Sequence, residues 1–325
     1  MSGGGISFIL NGVKLMTEAI GSKVKLSGSA RPFKRNKFIK KYQGLFYLIP
    51  WIIGLLVFQL YPLISSFYYS LTSYNMVSAP VFVGFRNYIM MFTQDTQFWR
   101  ALGITFRYVL FAVPLRLLFA LFIAFILSMK VRGIGFFRTV YYLPSIIGSS
   151  VAVSFLWSFL FRPDGVVNTL IKDMGFPGVY FLGDPKYALY TVSLLSVWQF
   201  GSTMILFLAA LKNIPETLYE SSRVDGATMP RMFIKITIPM LSPIIFFNLL
   251  MQTFMSLQEF TSVYIMTGGG PARSTYLYPL KIYEEAFKHF KMGYASAMSW
   301  VLFVIIAILA VVLFASSSWV YYGDN

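Results

Sequence analysis

Asn248, Gln252, Ser256 and Glu259 follow one another at steps of four, four and three residues, so a helix would present all four on one face. Ser196, Gln199, Ser202 and Thr203 would likewise share a face of a second helix. Both sets lie in apolar surroundings, where polar groups are costly and are kept against protein or water. Two such stripes can hydrogen-bond a polyhydroxylated solute. They can equally bond one helix to another. Groups for covalent chemistry are missing. The sequence has no cysteine, one histidine (His289), no Gly-Lys pair of the kind a P-loop needs, and no His-Glu-x-x-His. Asp164, Asp173 and Asp184 recur in one segment, each beside turn-forming residues. The residues therefore point to a chain that catalyses nothing and holds no metal. Work against a gradient would need energy from a partner or an ion.

The elements that carry these stripes are apolar and long. Of 325 residues, 57% are hydrophobic and 12% charged, whereas soluble domains carry about 25% charged residues. The apolar residues come in blocks of bilayer length, which predicts an all-α fold with six membrane spans. These lie near Leu45–Leu63, Val109–Met129, Val140–Phe161, Ala188–Leu211, Ile236–Leu257 and Ala297–Tyr321. Residues 1–42 precede them as a basic tail, leaving 43–325 as the membrane domain. Pro50, Pro62, Pro114, Pro144, Pro239 and Pro243 fall in or beside spans and predict kinks.

Charge orients the bundle. Sixteen Lys and Arg fall in the tail, the turn after the second span and residues 212–239, against nine in the longer loops opposite. The positive-inside rule then places both termini and the 212–239 loop in the cytoplasm. The net charge of +15 reflects this topology and affinity for anionic lipid. No stacking motif accompanies it, so nucleic acid is not an expected partner. Of two further arginines, Arg107 is expected to snorkel to the outer interface. Arg116 lies deeper, where it can pair with Glu259, face a solute or meet a partner subunit.

Residues 212–239 form a charged, punctuated loop between the fourth and fifth spans. Pro215 suits a first helical turn, Gly226 a helix stop, Thr228 a cap and Pro230 the next first turn. The pattern predicts two short helices meeting at a glycine. Ile214, Leu218, Met229, Met232, Phe233 and Ile236 would give them a greasy side for docking on another protein.

This loop resembles the EAA loop of ABC-importer permeases, in its sugar-uptake form. The family pattern is Glu-Ala-Ala, three residues, Gly, nine residues, Ile, one residue, Leu-Pro. Here it stands as Glu220-Ser221-Ser222, Gly226, Ile236 and Ile238-Pro239, with every spacing kept. Leu218, Tyr219, Asp225 and Ala227 extend the match. Further resemblances are Val83-Gly84-Phe85-Arg86-Asn87-Tyr88, Phe137-Arg138-Thr139 with Leu143-Pro144, Trp157 with Gly165 and Asn168, Thr267-Gly268-Gly269-Gly270-Pro271, and Gly293-Tyr294-Ala295-Ser296-Ala297. The chain is thus similar to maltose-type sugar permeases, with an importer of an acidic oligosaccharide such as alginate as a closer relative.

The resemblance implies a type I importer permease paired with a second, homologous permease subunit. Two ATPase subunits would carry ATP and Mg, and an external solute-binding protein would deliver the solute. It implies that the 212–239 loop docks on the ATPase. It places Ser196, Gln199, Gln252, Met255, Ser256 and Glu259 in the substrate pathway, to which the polar stripe adds Asn248, and Gly268, Gly269, Gly270 and Pro271 are candidates for binding-protein contact. The rival reading is an ion-coupled secondary transporter, which calls for buried titratable groups and paired repeats. Arg116 and Glu259 are the only candidates for the first, and the sequence shows no repeat. A membrane scaffold without transport, a third reading, predicts no polar stripe.

Overall fold

The computed structural model describes residues 47–129, 133–148 and 150–321. The basic tail, 1–42, and Lys130 and Arg132 of the second-span turn lie outside the described residues. By backbone proximity the chain divides into two units, residues 1–61 and 62–325.

Helix α1 is Tyr47–Ser70. A two-residue ribbon, β1 (Thr72–Ser73) against β2 (Val81–Phe82), follows, antiparallel with Thr72 opposite Phe82. Next come α2 (Arg86–Thr93) and the central helix α3 (Thr96–Ser128). Asp95 caps α3 by accepting from the Phe98 amide at 3.0 Å. At 33 residues α3 is about 50 Å long, more than the hydrocarbon core requires. The chain continues as α4 (Ile134–Ile147), α5 (Val151–Leu160), α6 (Val166–Asp173), α7 (Pro185–Trp198) and α8 (Gly201–Asn213). Then come α9 (Glu216–Val224), α10 (Met229–Leu257), α11 (Thr261–Met266), α12 (Tyr278–Tyr283) and α13 (Met292–Ala315).

Four of these helices, α1, α3, α10 and α13, are long and apolar enough to cross a membrane. The count is six if α4 with α5, and α7 with α8, each form one broken span. The expected third span, Val140–Phe161, is broken a few residues beyond Pro144, where a kink is expected. It bends by 109° between α4 and α5. Gly148 takes a left-handed φ of +65°, and Ser150 starts a new helix by capping the Val153 amide at 3.2 Å. The fourth span bends by 47° at Gln199.

Among the described residues two buried clusters flank α3, and a third joins Phe246 and Leu250 of α10 to Val320. Towards the start of α3, Phe98, Ala101, Ile104 and Tyr108 pack with Val192, Leu195, Val263, Leu277, Tyr278 and Met298. Towards its end, Ala120, Ile123, Ala124 and Leu127 pack with Phe200, Met204, Phe207 and Leu208 of α8. Small residues there let the backbones approach closely. Asn87, Asn168 and Gly293 fasten neighbouring segments together. Asn87 donates to Ser70 O at 2.8 Å and Thr72 O at 2.9 Å, and Asn168 bridges Arg162 O and Val179. A Cβ on Gly293 would collide with the Thr72 carbonyl.

Candidate functional site

The 212–239 segment is built around Gly226. Helix α9 ends at Val224 with Asp225 as its C-cap, and Gly226 follows with φ +74°. The Gly226 amide donates to Arg223 O at 3.0 Å and the Ala227 amide to Ser222 O at 2.9 Å. That pair of bonds is the Schellman arrangement, which satisfies the last carbonyls of the helix. Across the elbow, Tyr219 Oη and Thr237 Oγ1 are 2.7 Å apart, tying α9 to α10. Glu220, Ser221, Asp225 and Gly226 are exposed, as is Leu218.

Several expectations need correction here. Pro215 is the residue before α9, with ψ +131°, and does not occupy its first turn. Thr228 makes no side-chain cap bond. The second helix of the elbow is the beginning of α10, which runs on through a π turn at Phe233–Thr237. Pro239 lacks the amide that would bond four residues back, and the widened turn accommodates that loss. Nor do all the greasy residues face outward. Ile214 and Met232 are buried in the chain itself, while Val224 and Ile234 are exposed.

The second feature is a cleft of about 390 Å³ at the bend between α7 and α8. Ser196, Gln199, Met255, Ser256 and Glu259 line it, together with Arg116, Ser145, Gly148, Ser202 and Gln258. Such a volume is within the range of small-molecule sites. Arg116 reaches over from α3 and donates through Nη2 to Gln199 O at 2.6 Å. Ser145 Oγ donates to the same carbonyl at 3.0 Å and accepts from the Ser202 amide at 3.1 Å. The bend at Gln199 frees this carbonyl from the helix, and the two side chains satisfy it. Glu259 accepts through Oε1 from the amide and hydroxyl of Ser262, at 3.1 and 2.6 Å; among the described residues it makes no ion pair with Arg116, and the two line the same cleft.

Not every stripe residue reaches the cleft. Gln252 is buried and donates to Thr203 Oγ1 at 3.0 Å, joining α10 to α8. Asn248 is buried and donates to Ile244 O of its own helix at 2.9 Å. The two are placed among packed helices because the cleft closes below Ser256. Sequence reasoning missed Ser145, Gly148 and Gln258. Gly201 was missed too: a Cβ there would lie 2.7 Å from Tyr141 O and 2.9 Å from Tyr142 Cα. Two helices meet at this glycine, and the sequence around it carries no periodic signal of the contact.

Gly268–Pro271 form a tight loop at the end of the molecule opposite the elbow. Gly268 and Gly269 have φ of +56° and +87°. Thr275 Oγ1 donates to Gly270 O at 2.7 Å, and Arg100 Nη2 donates to Ala272 O at 2.7 Å. Behind the loop, Lys281 Nζ lies 2.8 Å from Asp95 and 3.2 Å from Glu285, and Tyr294 Oη donates to Asp95 at 2.6 Å. Burial alone would raise the Asp95 carboxyl; hydrogen bonds from Lys281 and Tyr294, with the Lys281 charge, hold it below its ordinary value. The Glu284 carboxyl is treated alike. Burial opposes its charge, and Lys288 and Tyr276 pull it down.

Comparison with known proteins gives this geometry a context. Residues 105–322 match the family model "Binding-protein-dependent transport system inner membrane component". The chain is 48% identical over 302 residues to the probable ABC transporter permease protein YesP of Bacillus subtilis (strain 168), covering 91% of this chain and 98% of that one. It is 36% identical to the lactose transport system permease protein LacF of Rhizobium radiobacter, covering 85% and 95%. Among solved structures it resembles a bacterial alginate ABC transporter in complex with an alginate pentasaccharide-bound periplasmic protein. The TM-score is 0.72 at 27% identity, with 87% of this chain and 96% of that chain covered.

Proposed function

Because the chain belongs to the family of binding-protein-dependent transport system inner membrane components, we propose that it forms half of the translocation pathway of an ATP-driven importer for sugars or oligosaccharides. It is a membrane permease component of an ABC transporter with the type I fold. A second, homologous permease completes the pathway, and two cytoplasmic ATPase subunits hold ATP and Mg and do the hydrolysis. An external solute-binding protein, of the kind seen with the alginate transporter, delivers the solute near Gly268–Pro271. Both termini and the elbow then face the cytoplasm.

The elbow carries this reading. Leu218, Glu220, Ser221 and Asp225 form an exposed face whose shape is fixed by Gly226 and by the Tyr219–Thr237 bond, with Tyr219, Ser222, Ala227 and Ile236 half-buried and Pro239 exposed on α10. Such a face can seat in a cleft of the ATPase and make charge-assisted contacts through Glu220. Helix α10 passes directly from the elbow to Met255 and Ser256, so a displacement of one end is felt at the cleft. Closure of the ATPase pair on ATP would thereby alternate access to the cleft. Hydroxyls and amides around the cleft suit a sugar, and Arg116 would meet a carboxylate if the sugar is acidic.

The test is co-expression with the cognate ATPase subunit. Glu220→Lys and Gly226→Pro should each release the ATPase and abolish concentrative uptake in vesicles. Retention of the ATPase by both variants would refute the docking role. Uphill uptake by the isolated chain would favour the ion-coupled alternative.

A further inference from the structure

Between the first turns of α3 and α7 lies a second cleft, of about 720 Å³, lined by Trp99, Arg100, Arg107, Lys186, Tyr190 and Ser274 among others. Three cations line it and no carboxylate does. Among the described residues none of the three has a carboxylate within salt-bridge distance. The nearest acid in sequence, Asp184, is engaged in capping the Lys186 amide at 2.8 Å. Arg100 Nη2 donates to the Ala272 carbonyl, which steadies it beside the cleft and leaves its charge unneutralised. An anion is the missing complement.

Depth identifies the kind of anion. Ser128, at the far end of α3, borders the hollow under the elbow. Arg107 is 21 residues earlier on the same helix, about 32 Å away. The hydrocarbon core of a bilayer is about 30 Å thick, so with Ser128 at one boundary Arg107 lies at the other. One turn below Arg107 the surface turns apolar, with Leu110 77% exposed and Leu194 of α7 also open. Trp99 and Tyr190 flank the cations at the level where aromatic belts form. Cations at headgroup depth above an open apolar surface match an anionic lipid, with its chains running down that surface. The cleft is not an extension of the sugar path. Arg107 and Arg116 are nine residues apart, which puts them about 180° from each other around α3.

We propose that this cleft binds the phosphate headgroup of an acidic phospholipid in the outer leaflet. The test uses the intact transporter in nanodiscs of phosphatidylcholine with phosphatidylglycerol, reading co-purified lipid by native mass spectrometry. Wild type should retain phosphatidylglycerol in preference to phosphatidylcholine. Arg107→Gln with Lys186→Gln should lower that preference about tenfold, since each basic residue near the surface attracts acidic lipid. Arg107→Lys with Lys186→Arg should restore it, which separates charge from folding. No preference in wild type, or the same preference in the Gln double variant, would overturn the proposal. So would displacement of the bound lipid by soluble oligogalacturonate, which would make the cleft a solute site.

Discussion

The elbow and the cleft each turn on a glycine, and the two glycines are needed for opposite reasons. Gly226 has open space where a Cβ would stand but a φ of +74°. Gly201 lies in a helix but has no room, with Tyr141 O, Ser145 Oγ and Tyr142 Cα all within 3 Å of an added Cβ. The first is a conformational requirement set by neighbours in the chain. The second is a packing requirement set by residues some sixty positions away. The elbow is thus a local structure that carries its shape with it, and the cleft exists only when α3, α4, α7, α8 and α10 have assembled.

Exchanging the glycines should break that comparison most severely. Gly226→Asn should assemble and transport within several-fold of wild type, because Asn tolerates the left-handed region. Gly201→Asn should lose transport and unfold at lower temperature, since overpacking costs about 1–3 kcal/mol and here the obstacle is backbone. Uptake in vesicles with thermal unfolding in detergent measures both. Equal tolerance at the two positions would remove the distinction.

A smaller effect separates the two parts of the polar stripes. Arg116→Gln should lower uptake about tenfold or more with assembly intact, if the solute is anionic and meets this side chain. Equal loss of uptake and assembly would make Arg116 a brace for the Gln199 carbonyl. Thr203→Val, which removes the partner of Gln252, should leave uptake nearly unchanged. It should cost about 0.6 kcal/mol of stability, the usual size of such a bond in a membrane.

The mildest test concerns the clamp at Asp95, which holds α3 to α12 and α13. Its folded pKa is below the unfolded value, so its contribution is present above the unfolded value and is lost as pH falls through the folded one. Acidification below about pH 4 should loosen the clamp, and Asp95→Asn should remove this part of the acid sensitivity. Hydrogen exchange across 268–294 would report it. An unchanged acid profile in Asp95→Asn would assign the sensitivity elsewhere.

Legibility in the sequence followed contact range. The Glu220-to-Pro239 spacing could be read because a helix stop at Gly226 needs only residues a few positions away. Ser196, Gln199, Ser256 and Glu259 could be placed on faces by helical period. Period alone could not say where along a face the cleft ends, so Asn248 and Gln252 were grouped with residues from which packing separates them. The place and size of the break in the third span were hidden for a related reason. Its hydropathy is continuous, while the bend depends on Gly148 and Ser150, two residues in an otherwise apolar run.

By itself the sequence determined that the chain is a helical membrane protein with a bent elbow between its fourth and fifth spans. Composition, period and turn chemistry act over a few residues and need no partner. Tertiary structure alone decided which polar side chains face the cleft, that Arg116 and Ser145 share the Gln199 carbonyl, and that α4 must pass within touching distance of Gly201. Those are contacts between helices far apart in the chain, and close packing, not hydropathy, selects them.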